Sequence, residues 1–203
     1  MYALVKDNSI SKIITNPKPM VIGDVRYPAK IFQLWSESEL NAIGIFEVIT
    51  DSTNKKDEAY YINTNEQFDY ANNQVTRSWG TATPKRLEDE DAVDEDGKNI
   101  LDDDGNQVIN YGLKTEKKRI VKQQASGLLE KTDWHNHKAL DDDTYTIPDN
   151  IKSYRADVRA KSNEMESQID ACTNVDELKA LYEYTEQEDG TQTRPLAEFP
   201  KEI

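Results

Sequence analysis

Cysteine is almost missing from this chain. Cys172 stands alone, so no internal disulfide can form and no thiolate metal cluster can be built within one copy. Histidine is nearly as scarce, confined to His135 and His137. No stretch approaches the 18 or so consecutive apolar residues of a membrane span, and the opening MYALVKDNSISK lacks the basic leader and apolar core of a secretion signal. The expectation is a soluble product made without a cleaved leader and without a membrane partner. Positive charge is in deficit as well. A formal net charge of −14 over 203 residues opposes binding to phosphate backbones, which needs a basic surface to displace counterions, and so argues against nucleic acid as a partner. Apolar residues make up 36% and charged residues 32%. An ordinary globule has about 45–50% and about 25%, so part of the chain is expected to stay poorly buried.

The first part of the chain, residues 1–83, alternates as short strands do. Residues 2–5 and 10–14 flank the polar turn Lys6-Asp7-Asn8-Ser9, and 20–22 and 25–27 flank Gly23-Asp24, which predicts two hairpins. Ser36 with Glu39 three residues later is a capping-box pattern, and Gly44 supplies a stop, so a short helix is expected over 37–43. Residues 45–50, 60–63, 67–70 and 74–79 read as further strands, the last two joined at Asn72-Asn73.

An abrupt change follows over 84–112. Ten acids fall between Glu88 and Asp104 against the single base Lys98, which predicts a solvated linker or Asp-Gly hairpins at Asp96-Gly97 and Asp104-Gly105. An EF-hand does not fit, because Ala92 and Ile100 occupy the first ligand position and no glutamate stands at the twelfth.

Residues 113–186 read as a helical hairpin of two longer helices plus a short third. Over 115–131, Ile120, Val121, Gln124, Ala125, Leu128 and Leu129 share one face, while Lys114, Lys117, Lys118, Arg119 and Lys122 crowd the start. Bases there oppose the helix dipole, so they are expected to meet acids, with the acidic stretch upstream the nearest supplier. A second helix opens at Ile147-Pro148, with Ile151, Tyr154, Val158, Ser162, Met165 and Ile169 at spacings of three or four. Asn174 is placed to cap a third helix at Glu177. A bundle this thin is marginal alone, which points to an assembly and allows a homo-oligomer. Residues 187–203 read as an extended tail in which Leu196 and Phe199 are too few to fold alone and are free to dock. The fold class is α+β, with a small β-rich module, an acidic linker and a helical module.

No catalytic constellation stands out. Ser126-Gly127 lacks a nucleophile elbow, no glycine-rich phosphate loop occurs, and Cys172 has no histidine partner nearby. The many carboxylates keep a glycoside hydrolase formally open, since a pair at the right separation suffices. No cofactor is implied. His135 and His137 would share a face on a strand and nearby Asp141 to Asp143 could complete a metal site, but a flexible loop with two histidines is a poor zinc site; a subunit interface could also bring symmetry-related histidines together. Trp35, Trp79 and Trp134 are read as core or corner plates. Arg155 and Arg159, one turn apart, can reach carboxylates such as Glu130 or Asp133.

The run Leu128-Leu129-Glu130-Lys131-Thr132-Asp133-Trp134, followed by Ile147-Pro148 and Tyr154-Arg155-Ala156-Asp157-Val158-Arg159, resembles the C-terminal module of tail-fibre assembly and tail assembly chaperone proteins from tailed bacteriophages. The block Leu34-Trp35-Ser36-Glu37-Ser38-Glu39-Leu40-Asn41-Ala42-Ile43-Gly44-Ile45 is similar to a short tryptophan helix in phage tail-fibre-associated proteins. The resemblance implies a noncatalytic tail or tail-fibre protein, made in the host cytoplasm and kept in the virion, whose partners are other tail or tail-fibre subunits. A transient fibre-assembly chaperone is the first alternative and an envelope-polymer hydrolase the second. The docking residues expected on this reading are Trp35, Ile120, Leu128, Trp134, Tyr154, Arg155, Val158, Arg159, Leu196 and Phe199.

Overall fold

Tyr2-Ala3-Leu4-Val5 is apolar throughout because the strand that contains it is covered on both faces. In the computed structural model, which describes residues 1–203, the chain forms two compact units, Met1–Thr83 and Pro84–Ile203, of α+β class. In the first, Tyr2–Lys6 (β1) and Ser9–Ile14 (β2) form a hairpin. Its turn residues Asp7 and Asn8 take positive φ of 50° and 58°, the geometry of a tight primed turn. Val5 pairs with Ile10 but Leu4 with Lys12. Ser11 is thus a bulge residue, and Ile10 and Ile13 both reach the face of Ala3 and Val5.

A second hairpin, Met20–Ile22 (β3) with Val25–Tyr27 (β4), leads to two helical turns, Ile31–Leu34 (α1) and Glu37–Ala42 (α2). Ile45–Thr50 (β5), Tyr61–Ile62 (β6), Gln67–Ala71 (β7) and Gln74–Ser78 (β8) follow. The main sheet runs β2-β1-β5-β8-β7, antiparallel except for the parallel pair β5 and β8. On one face Leu4, Ile14 and Ile45 meet Ile31, Phe32 and Leu40 from the helices. On the other, Ala3, Val5, Phe46 and Val75 gather with Ile13 of β2 and Tyr70 of β7, and the outer strands approach one another as the sheet curls. The capping box forms, with the Ser36 N–H donating to the Glu39 carboxylate at 2.8 Å and the Glu39 N–H to Ser36 Oγ at 3.4 Å. Neither α1 nor the parallel pairing was predictable from local pattern, because α1 has no side-chain cap and its four residues are too few for a period.

The acidic stretch of the second unit is built into hairpins, though nearly all of its side chains face solvent. Glu90–Asp91 pairs with Ile109–Asn110, and two tight hairpins lie between. In the first, the Asp94 carboxylate accepts from the Asp96 N–H at 3.0 Å and the Lys98 N–H at 2.9 Å. Eight residues on, Asp102 accepts from the Asp104 N–H at 3.0 Å and the Asn106 N–H at 2.8 Å. Gly97 and Gly105 follow at φ 77° and 83°, where a side chain would strain the turn. The N–H groups of Ala92, Ile100 and Val108 donate in a ring to the carbonyls of Val108, Ala92 and Ile100 at 2.8, 2.9 and 2.9 Å. Of the two expectations, a solvated linker or Asp-Gly hairpins, the hairpins are what forms: aspartate caps and a backbone ring supply the order that the few apolar residues cannot.

Four helices follow, Leu113–Glu130 (α3), Asp133–Asp141 (α4), Asp149–Ala171 (α5) and Val175–Ala180 (α6). The orphan N–H groups at the start of α3 are met by preceding backbone. Leu113 donates to Arg86 at 3.0 Å and Lys114 to Leu87 at 3.1 Å, while the Gly112 N–H donates to the Asp89 carboxylate at 2.8 Å. α3 packs on α5 through Ala125, Tyr154 and Val158. The bases of α3 find acids mainly on α5. Lys118 lies 2.7 Å from Asp170 and Lys122 3.2 Å from Glu166, while Lys114 pairs with Glu88 and donates to the Asp170 carbonyl at 3.0 Å. Of the acidic stretch from 88 to 104, only Glu88 ion-pairs with these lysines.

The tail is not free. After a hairpin of Thr185–Glu186 with Gln192–Thr193, the Leu196 side chain is 2% exposed and its N–H donates to the Leu181 carbonyl at 3.0 Å. The Gln168 amide grips the tail on both sides, donating to the Pro195 carbonyl at 3.0 Å and accepting from the Ala197 N–H at 2.8 Å. Phe199 packs against the α3–α5 cluster. The thin bundle is thus thickened by its own C-terminal segment, which corrects the reading of an extended docking tail. No helix is long and apolar enough to cross a membrane.

Candidate docking surface

The Thr132-Asp133-Trp134 corner between α3 and α4 is locked from α5 by a single guanidinium. Arg155 Nη1 donates to the Leu129 carbonyl at 2.8 Å and to Thr132 Oγ1 at 2.6 Å, and Nη2 donates to Asp133 at 2.7 Å. Arg155 is buried, and three well-placed acceptors offset the cost of taking its charge out of water. The pair reaches Asp133; Glu130, the other candidate, is not used. Thr132 fills the corner, 5% exposed, with its N–H and hydroxyl both donating to the Leu129 carbonyl at 3.0 Å.

Trp134 was expected to close this corner and does not. With Thr132 and His135 turned inward, helical geometry turns Trp134 outward, where it is 54% exposed. Its ring stacks on His135 at 3.7 Å between centroids and 26°. The buried His135 hydrogen-bonds through Nδ1 to the Tyr145 hydroxyl, and Lys138 Nζ sits 4.4 Å over the Tyr145 ring. The segment before Tyr145 is a tight turn in which Asp142 accepts from the Thr144 hydroxyl at 2.6 Å and N–H at 3.0 Å. Those bonds, the hydroxyl first, hold the Asp142 carboxyl below the ordinary aspartate range. His135 and His137 lie on α4, not in a flexible loop, and residues two apart on a helix point to nearly opposite sides. No group of three or more His, Cys, Asp or Glu is placed to hold a metal ion.

The other expected docking residues divide sharply. Tyr154, Arg155, Val158 and Leu196 are buried, and Leu128 and Phe199 are half-buried against the α3–α5 cluster. These six are spent inside their own unit, so reading them as a free docking surface is corrected, because the helices and the returning tail cover one another. Ile120 is 42% exposed because the apolar stripe of α3 narrows to Val121 and Ala125. Trp35, 36% exposed and edge-on to Tyr27 at 5.8 Å, lies on the first unit beside the exposed Leu34. Arg159 remains at the surface, its Nη1 donating to the Arg155 carbonyl at 3.2 Å.

Leu140, 81% exposed on α4, was missed by sequence reasoning because α4 carries no helical apolar stripe. A cleft of about 420 Å³ was missed as well. It is lined by Lys122, Ala125, Ser126, Leu129, Asp133, Arg155, Arg159, Ser162 and Asn163. Its only sequence signal is the cationic spacing of Lys122, Arg155 and Arg159, since serine and asparagine on a helix read as solvent face. Comparison with protein-family models, curated proteins and solved structures gives no match to this chain.

Proposed function

We propose that this chain is a noncatalytic tail or tail-fibre-associated component of a bacteriophage, retained in the virion and acting by docking to other tail subunits. The observation that supports it most is the corner itself. The run that carries the resemblance to phage tail proteins folds as a rigid device, with Arg155 fixing Thr132 and Asp133 from behind while Trp134 is held 54% exposed. An aromatic plate on a pre-organised corner is the kind of anchor that carries binding energy, because little entropy is lost when a partner covers it. Leu140 on the same short helix and Ile120 on α3 add exposed apolar side chains. The same surfaces would serve a fibre-assembly chaperone, which leaves before the particle is complete.

Protein composition of purified particles tests this reading. A retained component is present at a fixed stoichiometric ratio to the other tail proteins. Absence from particles, with the chain present in the producing cells, assigns the transient role instead.

A further inference from the structure

The cleft between α3 and α5 contains one guanidinium that the chain does not neutralise. Of its three bases, Arg155 is matched to Asp133 at 2.7 Å and Lys122 to Glu166 at 3.2 Å. Arg159 has no carboxylate partner and donates only to the carbonyl of Arg155. Around it stand short polar side chains, Ser126, Ser162 and Asn163, with Ala125 and Leu129 as apolar walls. A planar fork with unused donors, beside small hydroxyl and amide groups and a patch that accommodates methylenes, matches a carboxylate on a short aliphatic stem.

We propose that this cleft is a carboxylate-binding subsite that receives a single aspartate or glutamate side chain of a partner protein, anchored by Arg159 and supported by Asn163. The formal charge of −14 disfavours a polyphosphate as occupant, since a long anion is repelled by the whole molecule while a single carboxylate feels mainly the local field within a Debye length of about 8–10 Å. The proposal rests on the docking reading only for the partner's being a protein.

The test uses the full-length chain labelled for NMR and titrated at constant ionic strength with N-acetyl-glutamate amide, inorganic phosphate and, as a neutral control, N-acetyl-glutamine amide. The expected result is saturable shifts of the Arg159 Nε–Hε, Asn163 and Ser126 signals with the glutamate compound and none with the glutamine one. R159Q removes the response and R159K weakens it by losing the fork while keeping the charge. Both variants change an exposed side chain, and an unchanged backbone spectrum confirms their fold. The proposal is overturned by non-saturable or absent shifts, by an undiminished response in R159Q, or by saturation with phosphate and not with the glutamate compound. Failure here leaves the particle-composition result standing, and failure there leaves this subsite standing, so the two are separable.

Discussion

At the scale of single residues, Arg155 and Gly112 hold more of the second unit than their types suggest. Arg155→Met removes three hydrogen bonds around Thr132, and about 1.5–3 kcal/mol of stability is expected to go with them, the range for bonds to a charged group. Urea unfolding should show a lower midpoint with an unchanged slope, and an unshifted midpoint would mean that the corner is held by packing alone. Gly112 is constrained by space: a Cβ there would lie 2.4 Å from both the carbonyl carbon and the oxygen of Glu88. Gly112→Ala therefore has to move backbone that caps α3, at a cost of about 1–3 kcal/mol in the same assay. Arg155 could be foreseen as an ion-pair partner because it lies near Asp133 across a helical corner. The role of Gly112 could not, since its constraint comes from the path of residues 87–88 and not from its neighbours in α3.

At the scale of elements, the acidic hairpins depend on Asp94 and Asp102 as caps more than on apolar contact. The Asn106 backbone N–H, followed by the Asn106 side-chain amide, holds the Asp102 carboxyl below the ordinary aspartate range. A carboxyl depressed in the folded chain adds stability above its unfolded value of about 3.9, and that stability is lost as pH falls through the lower folded value. NMR titration should place the Asp102 midpoint below the ordinary range, with faster amide exchange at Asn106 as the carboxyl protonates. Asp102→Ala should reproduce that loss of protection at neutral pH, while Asp103→Ala leaves it intact. Protection unchanged in Asp102→Ala would show that the backbone ring of Ala92, Ile100 and Val108 suffices.

The Asp-Gly pairs made these turns legible in the sequence, and Ser36 with Glu39 did the same for α2, because each is a local hydrogen-bonding pattern. The stripe Tyr154, Val158, Ser162, Met165 and Ile169 was legible for the same reason, as period alone places it on one face. What was not legible came from contacts distant in sequence: the parallel pairing of β5 with β8, and the pairing of Lys118 with Asp170. Trp134 was misread because an aromatic at a helix junction suits a core plate or an exposed anchor equally well. Only the inward turn of Thr132 and His135 decides between them.

At the scale of the whole molecule, a chain poor in apolar residues completes its second compact unit by using its last residues as part of that unit's core. Leu196→Ala should cost about 2–5 kcal/mol, as large-to-small changes at buried sites do, and a cost near zero would mean that the tail is not docked in solution. The sequence pointed to a thin bundle in need of cover, and the fold supplies part of that cover from within. Trp134, Leu140 and Ile120 remain outside it. The proposed tail role is tested most directly by hydroxyl-radical footprinting of purified particles beside the free chain, with oxidation read at Trp134. Docking through the corner requires the chain to be present and Trp134 oxidation to fall severalfold in the particle. Oxidation at the free-chain rate, or absence of the chain from the particle, would contradict it.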